Sequence, residues 1–421
     1  MALSSSERDD LEFQLGQYFR PTMPINREDL FSGRRGITRE VLDAVNQQGQ
    51  HVVLYGERGV GKTSLANMIM IRAKCPTAPI MAPHVNCTGT SSYNSIWIAL
   101  LEDIVFRADR QKIDLPQSVM KLSHDFENGL RVDFPPELAR RVVSELSDEG
   151  MIVVLIIDEF DTVASHETRQ AIAETIKFFS DRNVPGTIVI IGVADDVDSL
   201  IAEHRSIERC VAQIRMRRMS RDEIEAIVTT SLQKVGMTIE DEGLHEISRI
   251  AIGLPHYAHL LGLHSGRISL ENSSKRIVQP HVTAAARKAT TKAQVTIQNS
   301  YSKATISSKK NALYKQVLLA CALAETDDFG YFAPTDIREP LERILKRTYR
   351  VEAFARHLHA FCDPSRGPVL KKADLVNRPR FRFSNPLMQP FVLMKGLDEK
   401  LISDDDLRAT RDTDDPQGRL F

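Results

Sequence analysis

The chain has no run of about 18 uncharged apolar residues, so no helix long and apolar enough to span a bilayer is expected. Its first ten residues, Met1 to Asp10, are polar and acidic. A secretory leader would instead carry basic residues followed by an apolar stretch, so the expected location is cytoplasmic, with no membrane partner. Cysteine is sparse: Cys75, Cys87, Cys210, Cys321 and Cys362 are five, an odd number, without CxxC spacing. That excludes a disulfide framework and a zinc site of the usual spacing, and leaves reduced, mostly buried thiols. No internal repeat occurs. The net charge of -1 gives no overall bias toward nucleic acid, although a local basic patch can be cancelled elsewhere in the chain. What is present is ordinary for a folded protein: 42% hydrophobic and 26% charged residues over 421 positions. That is too much chain for one core, so two or three domains are expected.

The arrangement of apolar residues divides the chain further. Residues 1–30 read as an arm: Leu11, Leu15, Tyr18 and Phe19 form an amphipathic stretch that Pro21 and Pro24 break, expected to strap the first domain. From 31 to 219, short β-branched runs at Val52–Tyr55, Val85–Cys87, Ile152–Ile157 and Ile188–Val193 alternate with helical periodicity. This predicts an α/β domain, a parallel sheet with helices on both faces. From 220 to 300 no strand pattern remains, and segments starting at Arg221, Glu240, Pro255 and Gln279 predict a helical lid. Ser302–Lys310 reads as a linker into a domain over 301–400. There, apolar faces on three successive helices precede Val369–Lys372 and the alternating Arg380-Phe381-Arg382-Phe383, the order of a winged helix with its hairpin aromatics inward. The tail, 401–421, carries Asp404, Asp405, Asp406, Asp412, Asp414 and Asp415 and is expected to be disordered.

Gly56-Glu57-Arg58-Gly59-Val60-Gly61-Lys62-Thr63, followed by Ser64, matches GxxxxGK[ST] between an apolar strand and a helical pattern. Glycines let successive N–H groups turn toward a phosphate and the next helix offers its positive end. Lys62 is suited to β- and γ-phosphates and the Thr63 hydroxyl to Mg²⁺. Downstream, Ile152–Ile157 runs into Asp158-Glu159, two carboxylates at the carboxyl edge of the sheet. Asp158 suits the magnesium shell and Glu159 the polarisation of an attacking water. The strand Ile188–Val193 leads to Ala194-Asp195-Asp196, where Asp195 reads either as a group orienting water near the γ-phosphate or as a helix cap. ATP and Mg²⁺ are the expected cofactors and ATP hydrolysis the expected reaction.

These segments resemble AAA+ ATPases, more narrowly the initiator type that includes origin-recognition proteins, in a bacterial form. The resemblance covers about residues 27–395, from Phe31-Ser32-Gly33-Arg34-Arg35 through Asp158-Glu159-Phe160-Asp161 to the C-terminal hairpin. It implies an adenine pocket around Phe31–Ile37 and ATP shared between subunits of a homo-oligomer. It also implies an arginine directed at the neighbour's γ-phosphate, with Arg209 the first candidate and Arg205 the second. Two departures stand out. Asp195 occupies a strand end that usually carries an uncharged amide or hydroxyl. Gly253-Leu254-Pro255-His256 puts His256 where the family has arginine, as a γ-phosphate donor or a plain surface residue. Slow hydrolysis, with ATP acting mainly as an assembly switch, follows from both.

Between Lys346 and Arg382 there are ten Lys or Arg against three Asp or Glu. Arg380 and Arg382 alternate with the aromatics, and Lys371, Lys372 and Arg378 flank them, which suits phosphate contacts along duplex DNA, with a basic protein-facing surface as the alternative. Gln417, Leu420 and Phe421 fit a QxxLF pattern similar to bacterial sliding-clamp-binding peptides. The expected function is an ATPase that assembles on duplex DNA and recruits or loads a partner. The alternatives are a nucleotide-switched signalling ATPase with a protein-binding winged helix, and a scaffold that binds ATP without turning it over.

Overall fold

The computed structural model describes residues 3–25, 33–72, 78–128, 133–194, 197, 200–201, 205–308, 312–327, 329–373 and 379–409. Two compact units divide the chain: Pro24–Glu57 with Gly61–Met216, and Met1–Met23 with Arg58–Val60 and Arg217–Phe421. The chain opens with α1 (Ser5–Tyr18), which belongs to the second unit.

In the first unit the elements run α2 (Arg35–Val45), β1 (His51–Gly56), α3 (Lys62–Arg72), β2 (Ile80–Met81), β3 (His84–Asn86), α4 (Tyr93–Gln111), α5 (Gln117–Glu127), α6 (Pro136–Asp148), β4 (Ile152–Asp158), α7 (His166–Asp181), β5 (Gly186–Val193) and β6 (Val211–Arg215). The sheet order is β2-β4-β5-β1-β6, all pairs parallel, with β3 also on β4. β1, β4 and β5 are buried along nearly their whole length, which is why their sequences are continuous apolar runs rather than alternating ones. Helices α2 and α3 pack on β1, while α6 packs on β4 and β5. Val153, Leu155, Ile157, Ile188 and Ile190 enter one core with Trp97, Val143, Ile176 and Phe179. Trp97 stacks on Phe134 with ring centroids 5.7 Å apart, closing the α4 side of that core. The α/β class, a parallel sheet flanked by helices, is therefore as expected. β2 and β6 were not anticipated: β2 has two residues, and β6, Val211-Ala212-Gln213-Ile214-Arg215, is a polar edge strand with no continuous apolar run.

In the second unit come α8 (Arg221–Val235), β7 (Thr238–Ile239), α9 (Asp241–Ala251), α10 (Pro255–Glu271), β8 (Arg276–Ile277), α11 (Gln279–Lys292), α12 (Val295–Thr305), α13 (Tyr314–Leu323), α14 (Arg338–Leu345), α15 (Val351–Cys362), β9 (Leu370–Ala373), β10 (Arg380–Phe383), α16 (Met388–Asp398) and α17 (Asp404–Ala409). Ser220 caps α8 through a reciprocal pairing with Glu223, and Gly236 ends that helix at φ 72. Four expectations need correction. The helical part of the N-terminal arm belongs to the second unit, where α1 packs on α8 and α10, and only the end of the arm, at Ile25, is bonded to α3 within the first unit. Phe19 enters a notch at Gly262, where a Cβ would lie 2.3 Å from its Cε1, and Leu15 enters a similar notch at Gly266. The lid segment is not strand-free, since β7 and β8 pair in parallel over two residues, too short to leave a pattern. The supposed linker begins inside α12, which runs to Thr305. The acidic tail is helical over Asp404–Ala409, where Leu407 is 2% exposed and gives the segment an apolar anchor.

β9 and β10 form an antiparallel hairpin, and Phe332 adds a bridge to Phe381 on its other edge. Phe381 and Phe383 are buried, as alternation predicted. Among the described residues no helix is long and apolar enough to cross a membrane.

Candidate functional site

The site forms at the carboxyl ends of β1, β4 and β5, the edge where ligands of open α/β sheets bind. β1 ends at Gly56, whose φ of 149 lies outside the range L side chains adopt comfortably. A Cβ there would meet the Met216 carbonyl oxygen at 2.5 Å, so glycine is required both by conformation and by the close approach of a backbone. Gly61 at φ 94 is the next turn point before α3 begins at Lys62.

Lys62 is 9% exposed, and its Nζ donates to the Gly56 carbonyl at 3.0 Å and the Glu57 carbonyl at 2.8 Å. Burial pushes its ammonium down to about 8, against the opposing pull of Asp161, Asp158 and Glu57 and with a further push from Arg34. A lysine so desolvated gains from any anion placed beside it. Ser64, one turn into α3, accepts from the Ile25 N–H at 3.0 Å, and Asn67 donates to the Ile25 carbonyl at 3.3 Å, so the chain leading into this unit is fixed to the helix that follows the loop.

Thr63 donates from Oγ1 to Asp158 Oδ2 at 2.7 Å. Asp158 is the last residue of β4 and only 2% exposed. Burial by itself raises the pKa of its carboxyl; the adjacent His84 imidazole, the Thr63 hydroxyl and the Glu159 N–H outweigh it and leave the group below the usual carboxylate range. A buried, ionised carboxylate beside a hydroxyl is an oxygen donor set of the kind magnesium takes, one carboxylate and one neutral oxygen with the remainder left to phosphate and water. These residues therefore fit both a phosphate group and the cation.

Glu159 follows at φ 55, in the left-handed region that a non-glycine residue occupies at a cost. The turn is held because the Glu159 carbonyl accepts from the Thr162 N–H at 2.9 Å and its hydroxyl at 2.7 Å. The carboxylate is exposed at the sheet edge, where it can reach a water. Two residues that sequence reasoning passed over also belong here. Asp161 accepts from the Val193 N–H at 2.8 Å, tying the exit of β4 to the exit of β5. His84 sets its Nε2 3.6 Å from Asp158 Oδ2. A polar residue directly before the short segment Val85-Asn86-Cys87 was the available signal for His84; for Asp161 it was the third acid within Asp158-Glu159-Phe160-Asp161. Cys87 lies next to them, its thiol pushed up to about 12 by burial and then by Asp158, Glu159 and Asp161, which makes it inert.

The structure thus brings together Gly56, Glu57, Gly61, Lys62, Thr63, Asp158 and Glu159. Arg209 is not among them: its side chain is 79% exposed and pairs with Asp181 at 3.4 Å. His256 stands in the first turn of α10 in the second unit, where its Nδ1–H donates to the Pro21 carbonyl at 2.6 Å. Burial lowers its pKa and the Pro21 hydrogen bond raises it, with a net lowering. Asp195, Arg378, Gln417, Leu420, Phe421 and the start of the Phe31–Ile37 segment lie outside the described residues, and so does the side chain of Arg205.

A glycine-turned loop between a buried parallel strand and a helix, with its threonine bonded to an aspartate at the end of a neighbouring strand, defines a P-loop nucleotide-binding protein. The chain belongs to the Novel STAND NTPase 1 family, whose model matches residues 23–262. No curated protein sequence matches it. Among solved structures it is similar to a Walker-type ATPase of Pyrococcus abyssi, at 15% identity and a TM-score of 0.54, over 88% of this chain and 98% of that one. It is also similar to Cdc6p of Pyrobaculum aerophilum, at 15% identity and a TM-score of 0.46 over 92% and 99% of the two chains. ORC2 of Aeropyrum pernix follows at 14% identity and a TM-score of 0.48, over 97% and 99%. At 15% identity the likeness to the Walker-type ATPase is one of fold.

Proposed function

We propose that the protein binds ATP with magnesium at the loop Gly56–Ser64 and hydrolyses it slowly to ADP and phosphate. The observation that carries this reading is the Thr63 hydroxyl bonded to the buried Asp158 carboxylate, with Lys62 desolvated beside them. Magnesium, when bound, neutralises phosphate charge. Thr63 and Asp158 are the residues that would hold it. Lys62 exchanges the carbonyls of Gly56 and Glu57 for phosphate oxygens, and the backbone of Gly56, Glu57, Arg58, Gly59, Val60 and Gly61 cradles the anion. Glu159 accepts a proton from the attacking water. Asp195 orients that water, His256 reports on the γ-phosphate, and Arg209 acts on a neighbouring subunit's nucleotide in a homo-oligomer. The exposure of Arg209 supports the last role, since its partner Asp181 is a surface residue that gives way at little cost.

The finer reading is that of an initiator-like ATPase which assembles on duplex DNA through a winged helix and recruits a partner. Exposed Lys371 and Lys372 on β9 support it, together with Arg378. The sliding-clamp contact through Gln417, Leu420 and Phe421 belongs to the same proposal. One observation favours the second reading, a nucleotide switch whose C-terminal region meets protein. Arg380 is paired with Asp327, and the Arg382 guanidinium lies 4.8 Å from the centroid of the Tyr331 ring, so both arginines are already engaged.

Phosphate release and ATP affinity, with and without magnesium, test the core of the proposal. Wild type should bind and turn over ATP, and Lys62→Ala should do neither; equal turnover by both would overturn it. Retardation of duplex DNA by wild type and by Lys371→Ala/Lys372→Ala separates the two readings. ATP-dependent binding that the lysine pair abolishes supports assembly on DNA, and no binding in any nucleotide state leaves the protein-contact switch.

A further inference from the structure

Next to Asp158 is one buried polar group that the proposed chemistry leaves unused. His84 is the first residue of β3, and parallel pairing sets it opposite Ile156, with Asn86 opposite Asp158. Residues two apart on a strand face the same side of the sheet, so the imidazole shares a face with the Asp158 carboxylate. Its Nε2 lies 3.6 Å from Asp158 Oδ2, just beyond hydrogen-bond length, with the two side chains 15% and 3% exposed. That nitrogen is buried and has no other hydrogen-bond partner. The backbone is anchored independently: the His84 N–H donates to Asp103 Oδ2 at 2.7 Å, and Arg107 Nε donates to the same oxygen at 2.6 Å. The strand therefore aims the ring at Asp158, and a closure of roughly half an ångström completes a bond of ordinary length.

We infer that His84 is a positioning residue, whose Nε2–H donates to Asp158 and fixes the rotation of the carboxylate that faces the cation. The inference rests on the reading of Asp158 as the magnesium carboxylate. Asp158 Oδ1 already takes the Glu159 N–H at 2.7 Å and Oδ2 takes the Thr63 hydroxyl, also at 2.7 Å. Each carboxylate oxygen accepts twice. With donors from Thr63 and His84 on Oδ2, both of its lone pairs are taken, and the second lone pair of Oδ1 is the one left for the cation. Carboxylates that bind metal are commonly held by such outer partners, and losing one typically weakens the metal about ten- to a hundredfold.

The test uses the full chain and Mn²⁺ as the probe. Mn²⁺ affinity is read by electron paramagnetic resonance with saturating ADP, and ADP affinity by calorimetry in EDTA, for wild type, His84→Leu, His84→Gln and Asp158→Asn. His84→Leu should weaken Mn²⁺ by about ten- to a hundredfold and leave metal-free ADP affinity unchanged. His84→Gln, whose amide supplies an N–H near the same place, should recover most of the loss. The inference is overturned if His84→Leu binds Mn²⁺ like wild type, if the glutamine fails to rescue, or if metal-free ADP binding falls in parallel. Should Asp158→Asn leave Mn²⁺ affinity intact, the magnesium reading falls and this one with it. If His84→Leu does not fold, ¹⁵N-histidine spectra of the wild type decide: a His84 Nε2 resonance that moves when Mg²⁺ joins the ADP complex supports the contact, and one that stays still removes it.

Discussion

Thr63 Oγ1 and Asp158 Oδ2 are 2.7 Å apart although their residues are 95 positions apart in the chain. The first stands in the first turn of α3 and the second ends β4, with β5 lying between β4 and β1 in the sheet. The chain between β1 and α3 thus carries Thr63 to the end of a strand two places away from β1 in the sheet. Because the two groups act as one donor set, their loss should be non-additive. Thr63→Val and Asp158→Asn should each lower magnesium-dependent ATP affinity by about ten- to a hundredfold, by analogy with other losses at metal sites. The double variant should be little worse than the poorer single one. Calorimetry across the mutant cycle checks this, and simple additivity would mean that the two act separately.

Glu159→Gln should keep ATP binding and lose turnover. The side chain is exposed and outside the donor set for phosphate, so ground-state affinity does not depend on its charge. Removing a positioned general base typically costs about 10²- to 10⁴-fold in rate. Single-turnover phosphate release on the variant, beside its ATP dissociation constant, gives both quantities. A fall in affinity equal to the fall in rate would assign Glu159 to binding.

Gly56→Ala should destabilise the first unit by about 1–3 kcal/mol, the range for a side chain forced into an unfavourable backbone region. The Met216 carbonyl that a Cβ would strike at 2.5 Å cannot retreat easily, because the Met216 N–H is itself bonded to the Tyr55 carbonyl at 2.7 Å. Gly36→Ala is the internal control. It sits in α2 with nothing within 4 Å, and should be neutral or stabilise by about 0.5–1 kcal/mol. Urea unfolding of the two variants compares them directly.

Acid should destabilise both units from about pH 6.5 downward, through buried histidines. Burial pushes His51 and His259 down to about 4 from an ordinary 6.5. A depressed pKa means that the unfolded chain takes up the proton first. The stability is therefore fully present above pH 6.5 and is lost as pH falls toward 4, by about 3 kcal/mol per histidine. His51 Nδ1 accepts from the Ile188 N–H at 2.9 Å, a role that protonation at that nitrogen would end. Thermal unfolding between pH 7.5 and 4.5 should show a steep loss, and His259→Leu should flatten part of it. An unchanged slope in that variant would place the titration elsewhere.

Gly262→Ala should loosen α1 from α10. Phe19 is 1% exposed, and its ring also meets the edge of His259 at 6.1 Å, so it has little room to yield to a new methyl group. Overpacking of this kind costs about 1–3 kcal/mol. Limited proteolysis should cut the variant near the end of α1 faster than wild type. Phe19→Ala combined with Gly262→Ala should be less destabilised than the sum of the two single changes, because the methyl then occupies vacated space.

Much of this was legible in order of residues alone. Gly56 to Thr63 announces a phosphate loop because its spacing is local, and Ile152–Ile157 running into Asp158-Glu159 announces a strand end because burial on both faces demands an unbroken apolar run. Phe381 and Phe383 were assigned inward by alternation. Other elements left no such trace. β6 lies at an edge and needs no continuous apolar sequence, and α17 draws its stability from Leu407, one residue in an acidic stretch that composition reads as unstructured.

What the sequence by itself determined was therefore local: the class of fold, the loop, the pair of carboxylates and the helices whose periodicity repeats within a few turns. What only the tertiary structure decided was which distant groups meet. The register of β3 on β4 puts His84 against Asp158, Asp161 ties two strand exits together through the Val193 N–H, and the N-terminal segment settles into glycine notches on α10. These are contacts between residues far apart in the chain, set by strand pairing and by the space a missing side chain leaves, and neither leaves a period in the sequence.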